Sequence, residues 1–431
     1  MSEAVRGGAR PDEMRAVPRS GAFDMMKERG FVSQCSDEEG LRKLLDTEQV
    51  TCYIGFDATA PSLHIGNLAQ VMLLAYMQRA GHRPIALMGG GTTRIGDPSG
   101  KTELRRILPV ETINANVEKF REQVSRVLDF DGGKALLLDN AEWLAPLNYI
   151  EFLRDIGVHF SVNRMLTFEA YKIRLETGLS FIEFNYQILQ SYDYLTLFRR
   201  HGCRLQMGGD DQWGNIVAGM DLIRRIEGAE AFALTSPLVT RSDGKKMGKS
   251  ETGAVWLDAE MTRPYDFYQY WVNVPDEDVQ QFFLRFTFLP VAEIRDLCAH
   301  KDQRINEAKR RLAHEITTLI HGEEAARDAA AAARAAFGGG AGADGADLSG
   351  VPSLEVPGAE LAAGIGVVDL FVRTKLCASR SDARRLVSQG GAYVGGREVT
   401  DVEARVTSSD VKDGAILLRA GKKRYFRITV S

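Results

Sequence analysis

No run of apolar residues in the chain is long enough to cross a bilayer. The first twenty residues carry Arg, Gly and Pro but no hydrophobic stretch, so they read as a disordered tail and not as a secretory signal. Cysteine is scarce and scattered. Cys35, Cys52, Cys203, Cys298 and Cys377 form no C-x-x-C pair, which argues against a zinc site or a disulfide framework and for a reducing compartment. No internal repeat is visible, and two phosphate-binding signatures nearly occur and fail. Gly96-Asp97-Pro98-Ser99-Gly100-Lys101-Thr102 has its first glycine one residue too close for a P-loop, and Gly89-Gly90-Gly91-Thr92-Thr93-Arg94 lacks the final glycine of a dinucleotide fingerprint. A P-loop kinase and a dehydrogenase are both disfavoured.

What is present is ordinary in bulk and uneven in distribution. The chain has 431 residues, 44% hydrophobic and 26% charged, enough for two or three domains with real cores. Its net charge of −4 hides an asymmetry, because from Ile365 onward thirteen Lys or Arg face only seven acids. A basic terminal module on an acidic body fits contact with a polyanion through that module.

Periodicity gives the organisation. Val50–Gly55 is a short, apolar, β-branched run ending in glycine and reads as a buried strand. Leu63–Ala80 follows as a helix opened by Pro61-Ser62 and closed by Gly81, and Pro84–Met88 is a second strand. Strand–helix–strand spacing predicts a Rossmann-like doubly wound parallel sheet, an α/β fold with ligands at the carboxyl ends of its strands. Helical patterns cover Leu144–Leu197, Val279–Arg285 and Val291–Glu324, and the alanine- and glycine-rich stretch from Ala325 to Asp347 reads as low-complexity sequence ending in a flexible linker.

Two short segments carry chemistry. His64-Ile65-Gly66-Asn67 places a His at the positive end of a helix, and Lys246-Met247-Gly248-Lys249-Ser250 sets two Lys around a glycine on a loop, following the turn-forming Ser242-Asp243-Gly244. Both suit the phosphates of a nucleoside triphosphate. Tyr186, Gln190 and Asp193 are spaced to share one helix face, and an Asp on such a stripe needs a partner if buried.

These segments resemble the "HIGH" and "KMSKS" signatures of class I aminoacyl-tRNA synthetases. The run Tyr53–Asn67 is similar, almost position by position, to the first active-site segment of the bacterial tyrosyl-tRNA synthetases. Ile95–Lys101, Phe184–Asp193, Gln206–Asn215 and Lys246–Ser250 agree with the same family, and the likeness runs from about Phe23 to the C-terminus. The resemblance implies that Asp193 and Tyr53 bond the phenol of tyrosine, that Tyr186, Gln190 and Asp97 hold its α-ammonium, and that Gln206 supports the pocket. It implies that Gly55, Asp57, Asn67, Gly209, Asp211 and Gln212 meet ATP or the adenylate, with Gly208-Gly209 as bare backbone for adenosine. His64, Thr59, Lys246 and Lys249 would stabilise charge on the reacting phosphates, with Lys101 and Arg105 on the pyrophosphate side. ATP would enter with magnesium, and no tightly bound cofactor is implied.

The tail from Leu370 to Val394 resembles the RNA-binding domain named after small-subunit ribosomal protein S-four. There Ser381 reads as an N-cap and Gly390-Gly391 as a helix stop, with Lys375, Arg380 and Arg384 directed at phosphates. The expected organisation is a disordered tail (1–22), a catalytic domain (23–250), a helical anticodon-side domain (251–330), a linker (331–364) and a small α+β RNA-binding domain (365–431). A cytoplasmic homodimer is implied, its subunit contact matching the helical insertion Trp143–Arg164, with tRNA for tyrosine, L-tyrosine and ATP as partners.

Two departures stand out. Asn67 replaces the second His of the first motif and can donate but carries no proton charge. Gly248 replaces a Ser and is expected to loosen its loop. The rival readings are a tryptophanyl-tRNA synthetase, a non-catalytic RNA-binding protein on a dead synthetase body, and a cytidylyltransferase. Tyr53 with Asp193 suits a phenol, and His64, Lys246, Lys249 and Asp211 are intact.

Overall fold

A computed structural model describes residues 21–99, 108–240, 242, 247–250, 253–299, 302, 304–337, 351, 353–412, 414–421 and 424–431. Six strands form the central sheet: β1 (Gln34–Cys35), β2 (Thr51–Phe56), β3 (Arg83–Met88), β4 (Leu136–Asp139), β5 (Cys203–Gly209) and β6 (Phe232–Ser236). Their order is β1-β6-β5-β2-β3-β4, and only β1, at the edge, runs antiparallel to its neighbour. Strands β3 and β6 are buried almost throughout, the reason they read as unbroken apolar runs. The chain builds outward from β2 on one side and from β5 on the other, so the crevice between their carboxyl ends is the topological switch point.

Local chemistry sets the element boundaries. The helix after β2 spans Ile65–Arg79, later than expected, because the cap is His64 and not Ser62. Ser62 is buried and its hydroxyl is used by Gln123 and by the amide of Asp258. The Leu144–Leu197 region is several helices, of which Phe181–His201 is the longest. A reciprocal cap between Ser180 and Glu183 starts it, and Gly202, in the left-handed region at φ 63, ends it.

The stretch expected as one helix over Val291–Glu324 is three: Val291–Leu297, Ile305–His321 and Glu323–Phe337, the last two separated by Gly322 at φ 89. The last of these corrects the linker reading at one end. Ala326, Ala329, Ala330, Ala332 and Ala333 are buried, and small helix-forming side chains let this helix pack closely on Ile305–His321 and on Pro264–Val272. At the other end, Ser353–Val356 is a strand running parallel to Arg424–Val430, and Gly358–Ala363 is a helix. Residues 331–337 and 353–364 are therefore structured parts of the bodies on either side.

Hydrophobic packing is continuous from the sheet into the helices. One cluster joins Phe23, Leu68 and Phe120 to Trp271, Phe282, Phe286 and Ile316, so the helices after Pro264 have no core of their own. A second cluster, with Tyr53, Trp143 and Leu195, covers the sheet's other face. The C-terminal module has a separate core built on Phe371, Val387, Ile416 and Ile428. Its sheet runs in the order Arg397–Val399, Ala392–Val394, Ala415–Ala420, Arg424–Val430, Ser353–Val356. In that module Ser379, not Ser381, caps the Arg380–Ser388 helix, accepting from the Asp382 amide at 3.2 Å. A hydroxyl caps only from just outside the first turn, and Ser381 is already inside it.

Of the expected tail, residues 1–20 lie outside the described residues, and Ala22 is buried at the start of a helix. No helix among the described residues is long and apolar enough to cross a membrane.

Candidate active site

The deepest part of the crevice is built on Asp193 and Tyr53. Both are almost wholly buried, Asp193 from the Phe181–His201 helix and Tyr53 from β2. Trp143 donates its indole N–H to Asp193 Oδ1 at 2.7 Å, and Asn140 donates through Nδ2 to Oδ2 at 2.9 Å. Asn140 is fixed in turn, its Oδ1 accepting from the amide of Gly91 at 2.8 Å. Burial pushes the Asp193 carboxyl up to about 8, although both donors pull it down; the nearby Asp57 and Asp139 charges add to the rise. The Tyr53 phenol is raised well above its ordinary value, again chiefly by burial.

Three buried polar atoms around this point have no hydrogen-bond partner among the described residues: Tyr53 Oη, Gln190 Oε1 and Gln206 Oε1. Each such group costs roughly 1–3 kcal/mol if it stays unpaired, so three of them, on two paired strands and on the helix that carries Asp193, suit a polar ligand that completes the network.

Toward solvent the crevice becomes acidic and hydrogen-bonded. Tyr186 Oη donates to Asp57 Oδ2 at 2.9 Å, and Thr92 Oγ1 donates to Asp57 Oδ1 at 2.7 Å. Asp97 is buried; its Oδ1 accepts from the Ser99 amide and its Oδ2 from Gln212 Nε2 at 2.7 Å. Two carboxylates with ordered donors, one of them buried, make a suitable environment for an ammonium group. A Cβ on Gly89 would collide with the Asp57 carboxylate, so that glycine is required.

The other end of the crevice is a cradle around the start of the Ile65–Arg79 helix. His64 Nδ1 accepts from the Asn67 amide at 3.2 Å while Asn67 Oδ1 accepts from the His64 amide at 3.1 Å. The imidazole therefore carries its neutral-state proton on Nε2. A Cβ on Gly66 would lie 2.8 Å from His64 Cε1, so the ring rests over bare backbone. Gly55 opens on space, with nothing within 4 Å of a would-be Cβ, and Thr59 is exposed. Asp211 is exposed and its carboxylate lies over Gly209, 2.7 Å from where a Cβ would stand.

Gly248 occupies a defined turn within the expected phosphate loop. It adopts φ 82, donates its N–H to Tyr270 Oη at 3.1 Å, accepts from Val255 N at 2.8 Å, and packs against the Gly66 amide. Glycine here fits a left-handed turn that a Ser would strain. Lys101, Arg105 and Lys246, and the side chain of Lys249, lie outside the described residues.

Sequence reasoning missed Asn140, Trp143 and Thr92. Trp143, which the resemblance puts at the start of the subunit-contact insertion, is buried against Asp193. The available signal was position: Asp139-Asn140-Ala141-Glu142-Trp143 follows an apolar strand directly, where a parallel sheet presents its ligand-facing turns. Among the described residues no group of three or more His, Cys, Asp or Glu is placed to hold a metal ion. In the C-terminal module Lys375, Arg380 and Arg384 are all exposed, and Arg380 pairs with Asp369 at 2.6 Å.

Residues 45–338 match the model of the class I tRNA synthetases (W and Y), and residues 345–428 match the SYY-like C-terminal domain of tyrosine–tRNA ligase. The chain is 52% identical over 409 residues to a tyrosine–tRNA ligase of Acetivibrio thermocellus, covering 95% of this chain and 99% of that protein. It is equally identical over 408 residues to one of Caldanaerobacter subterraneus, again 95% and 99%. A C-terminally truncated mitochondrial tyrosyl-tRNA synthetase of Aspergillus nidulans superposes with a TM-score of 0.65 at 30% identity, covering 72% of this chain and 92% of that one.

Proposed function

The chain belongs to the class I tRNA synthetases (W and Y), and from that premise we infer how its residues carry out the work of a tyrosine–tRNA ligase. It activates L-tyrosine with ATP to tyrosyl-adenylate and pyrophosphate, then transfers the tyrosine to the terminal adenosine of its tRNA. The observation that carries the site reading is the unpaired, buried Tyr53 Oη beside a carboxyl that already holds two donors.

Tyr53 and Asp193 grip the substrate's phenol. A carboxylate offers about four lone-pair positions, so Asp193 keeps room for the phenol O–H beside Asn140 and Trp143. Phenylalanine would leave these groups unpaired in a dry pocket, which is the physical basis of rejection. Asp97, Tyr186 and Gln190 receive the α-ammonium, Gln206 lines the same pocket, and Asp57 orients Tyr186 from behind. The amino acid is thereby held at both ends with its carboxylate directed at the cradle.

The carboxylate oxygen attacks the α-phosphorus of ATP, the new C–O–P bond forms, and the bond to pyrophosphate breaks. No protein base is needed, since the nucleophile is already ionised. The enzyme supplies alignment and charge stabilisation. His64 donates from Nε2, with Thr59, to the phosphates, close to the positive end of a fifteen-residue helix. Lys246 and Lys249 meet the phosphates from the loop, and Lys101 and Arg105 take the departing pyrophosphate. Asp211, Gln212, Asn67 and the bare backbone at Gly55 and Gly209 hold the nucleoside. Magnesium accompanies ATP as part of the substrate.

The catalytic portion is proposed as 23–250, the helical anticodon-side portion as 251–337 and the RNA-binding module as beginning at 353, with Lys375, Arg380 and Arg384 facing tRNA phosphates. A homodimer in the cytoplasm is also proposed. The apolar surface supports it: Ile150, Val158 and Phe181 are each more than 70% exposed, beside exposed Tyr149 and Val162. The test is amino-acid-dependent ATP–pyrophosphate exchange with all twenty amino acids. Exchange with tyrosine alone is expected; exchange with tryptophan but not tyrosine would overturn the pocket reading.

A further inference from the structure

The loop that carries Asp211 and Gln212 is pinned from behind by its neighbour. Asp210, the first residue of that turn, points away from the cradle. Its Oδ1 accepts from Thr235 Oγ1 at 2.6 Å and its Oδ2 from Ser33 Oγ at 2.8 Å. The triangle closes through the backbone, because Ser33 N–H donates to the Thr235 carbonyl at 2.8 Å where edge strand β1 joins β6. Successive residues of a one-turn 3₁₀ segment point about 120° apart, so fixing Asp210 fixes the direction of Asp211.

The anchor is itself stiff. Four residues before Ser33, Arg29 is buried and donates to the carbonyls of Leu284, Thr287 and Leu289, and Gly30 accepts from Arg285. Residues 29–33 are thus clamped to the helices on one side and to the nucleotide loop on the other, although they lie before the stretch 45–338 that matches the family.

We propose that Asp210, held by Ser33 and Thr235, is a positioning residue that orients Asp211 and Gln212 for the nucleotide. The proposal rests on the reading of Asp211 as a nucleotide contact. Its prediction is graded: releasing Asp210 weakens ATP more than tyrosine, since Asp193 and Tyr53 stand on other elements and the loop reaches the ammonium end only through the Gln212–Asp97 bond.

The experiment is steady-state pyrophosphate exchange on the full chain, with D210A, D210N, S33A and D211N. D210A should raise KM for ATP about fivefold, the effect of one net hydrogen bond, with kcat and KM for tyrosine within about twofold. S33A, at an exposed hydroxyl, should give about half that effect in a fully folded protein. D210N should regain most of the loss, because both hydroxyls can accept from an amide as well as donate. A merely structural role would lower the melting temperature and the active fraction and leave KM unmoved. The proposal falls if S33A and D210A leave KM for ATP unchanged, if D210N is as impaired as D210A, or if KM for tyrosine rises equally. If D211N moves KM for ATP and D210A does not, only the positioning role is lost; if neither does, the nucleotide reading of the loop is lost with it.

Discussion

Trp143 holds Asp193 in place: its indole N–H reaches Oδ1 across 2.7 Å from the short helix Ala141–Leu144 after β4, a strand of the same sheet that carries Tyr53. The side chain proposed to select the substrate is therefore oriented by a residue that need not touch it. Removing that donor leaves a buried carboxyl with one ordered partner in place of two and pushes it further toward its neutral form. Trp143→Phe keeps the aromatic bulk, so KM for tyrosine should rise about tenfold with little change in KM for ATP. Tyrosine-dependent pyrophosphate exchange at fixed saturating ATP measures it.

Asp193→Asn goes further, because the amide cannot accept at both positions. The amide nitrogen would also face the donors of Asn140 or Trp143. Activation of tyrosine should fall by about one to two powers of ten in kcat/KM. Unchanged kinetics would remove Asp193 from the pocket.

Gly66→Ala should disturb chemistry and spare amino-acid binding. The added methyl would sit 2.8 Å from His64 Cε1 and 3.0 Å from Nδ1, forcing the ring off the Asn67 amide. The expected result is a fall in kcat of at least about tenfold with KM for tyrosine unchanged, since a misplaced donor loses transition-state contacts first. Single-turnover formation of tyrosyl-adenylate reads the step directly.

His321 should set an acid limit to stability. Burial, with the Arg126 charge, lowers its pKa from 6.5 to about 4, and its Nε2 has no partner among the described residues. The folded state thus resists protonation while the unfolded chain accepts it. Stability is complete above pH 6.5 and is lost as pH falls from there toward 4, by at most about 3 kcal/mol. Urea midpoints measured between pH 7 and pH 4.5 should decline with this slope, and His321→Phe, which keeps a ring edge-on to Phe267, should flatten it.

Where spacing alone decides geometry, the sequence was legible. Tyr186, Gln190 and Asp193 share a face because a helix leaves residues so spaced no alternative. The buried parallel strands announced themselves as apolar runs. What escaped were contacts between distant segments. Asn140 and Trp143 meet Asp193 across some fifty residues, and no local pattern encodes that distance. The cap at His64 was hidden because Ser62 is the stronger capping residue in isolation; tertiary partners for its hydroxyl decided otherwise. The alanine run after Ala325 was misread because composition cannot say whether a neighbouring helix waits to receive it.

The continuity of packing between the sheet and the helices after Pro264 has a calorimetric consequence. These two portions share one cooperative unit, so a nick or substitution weakening either should lower a single large endotherm for both. The C-terminal module, with its own interior, should melt as a separate smaller peak.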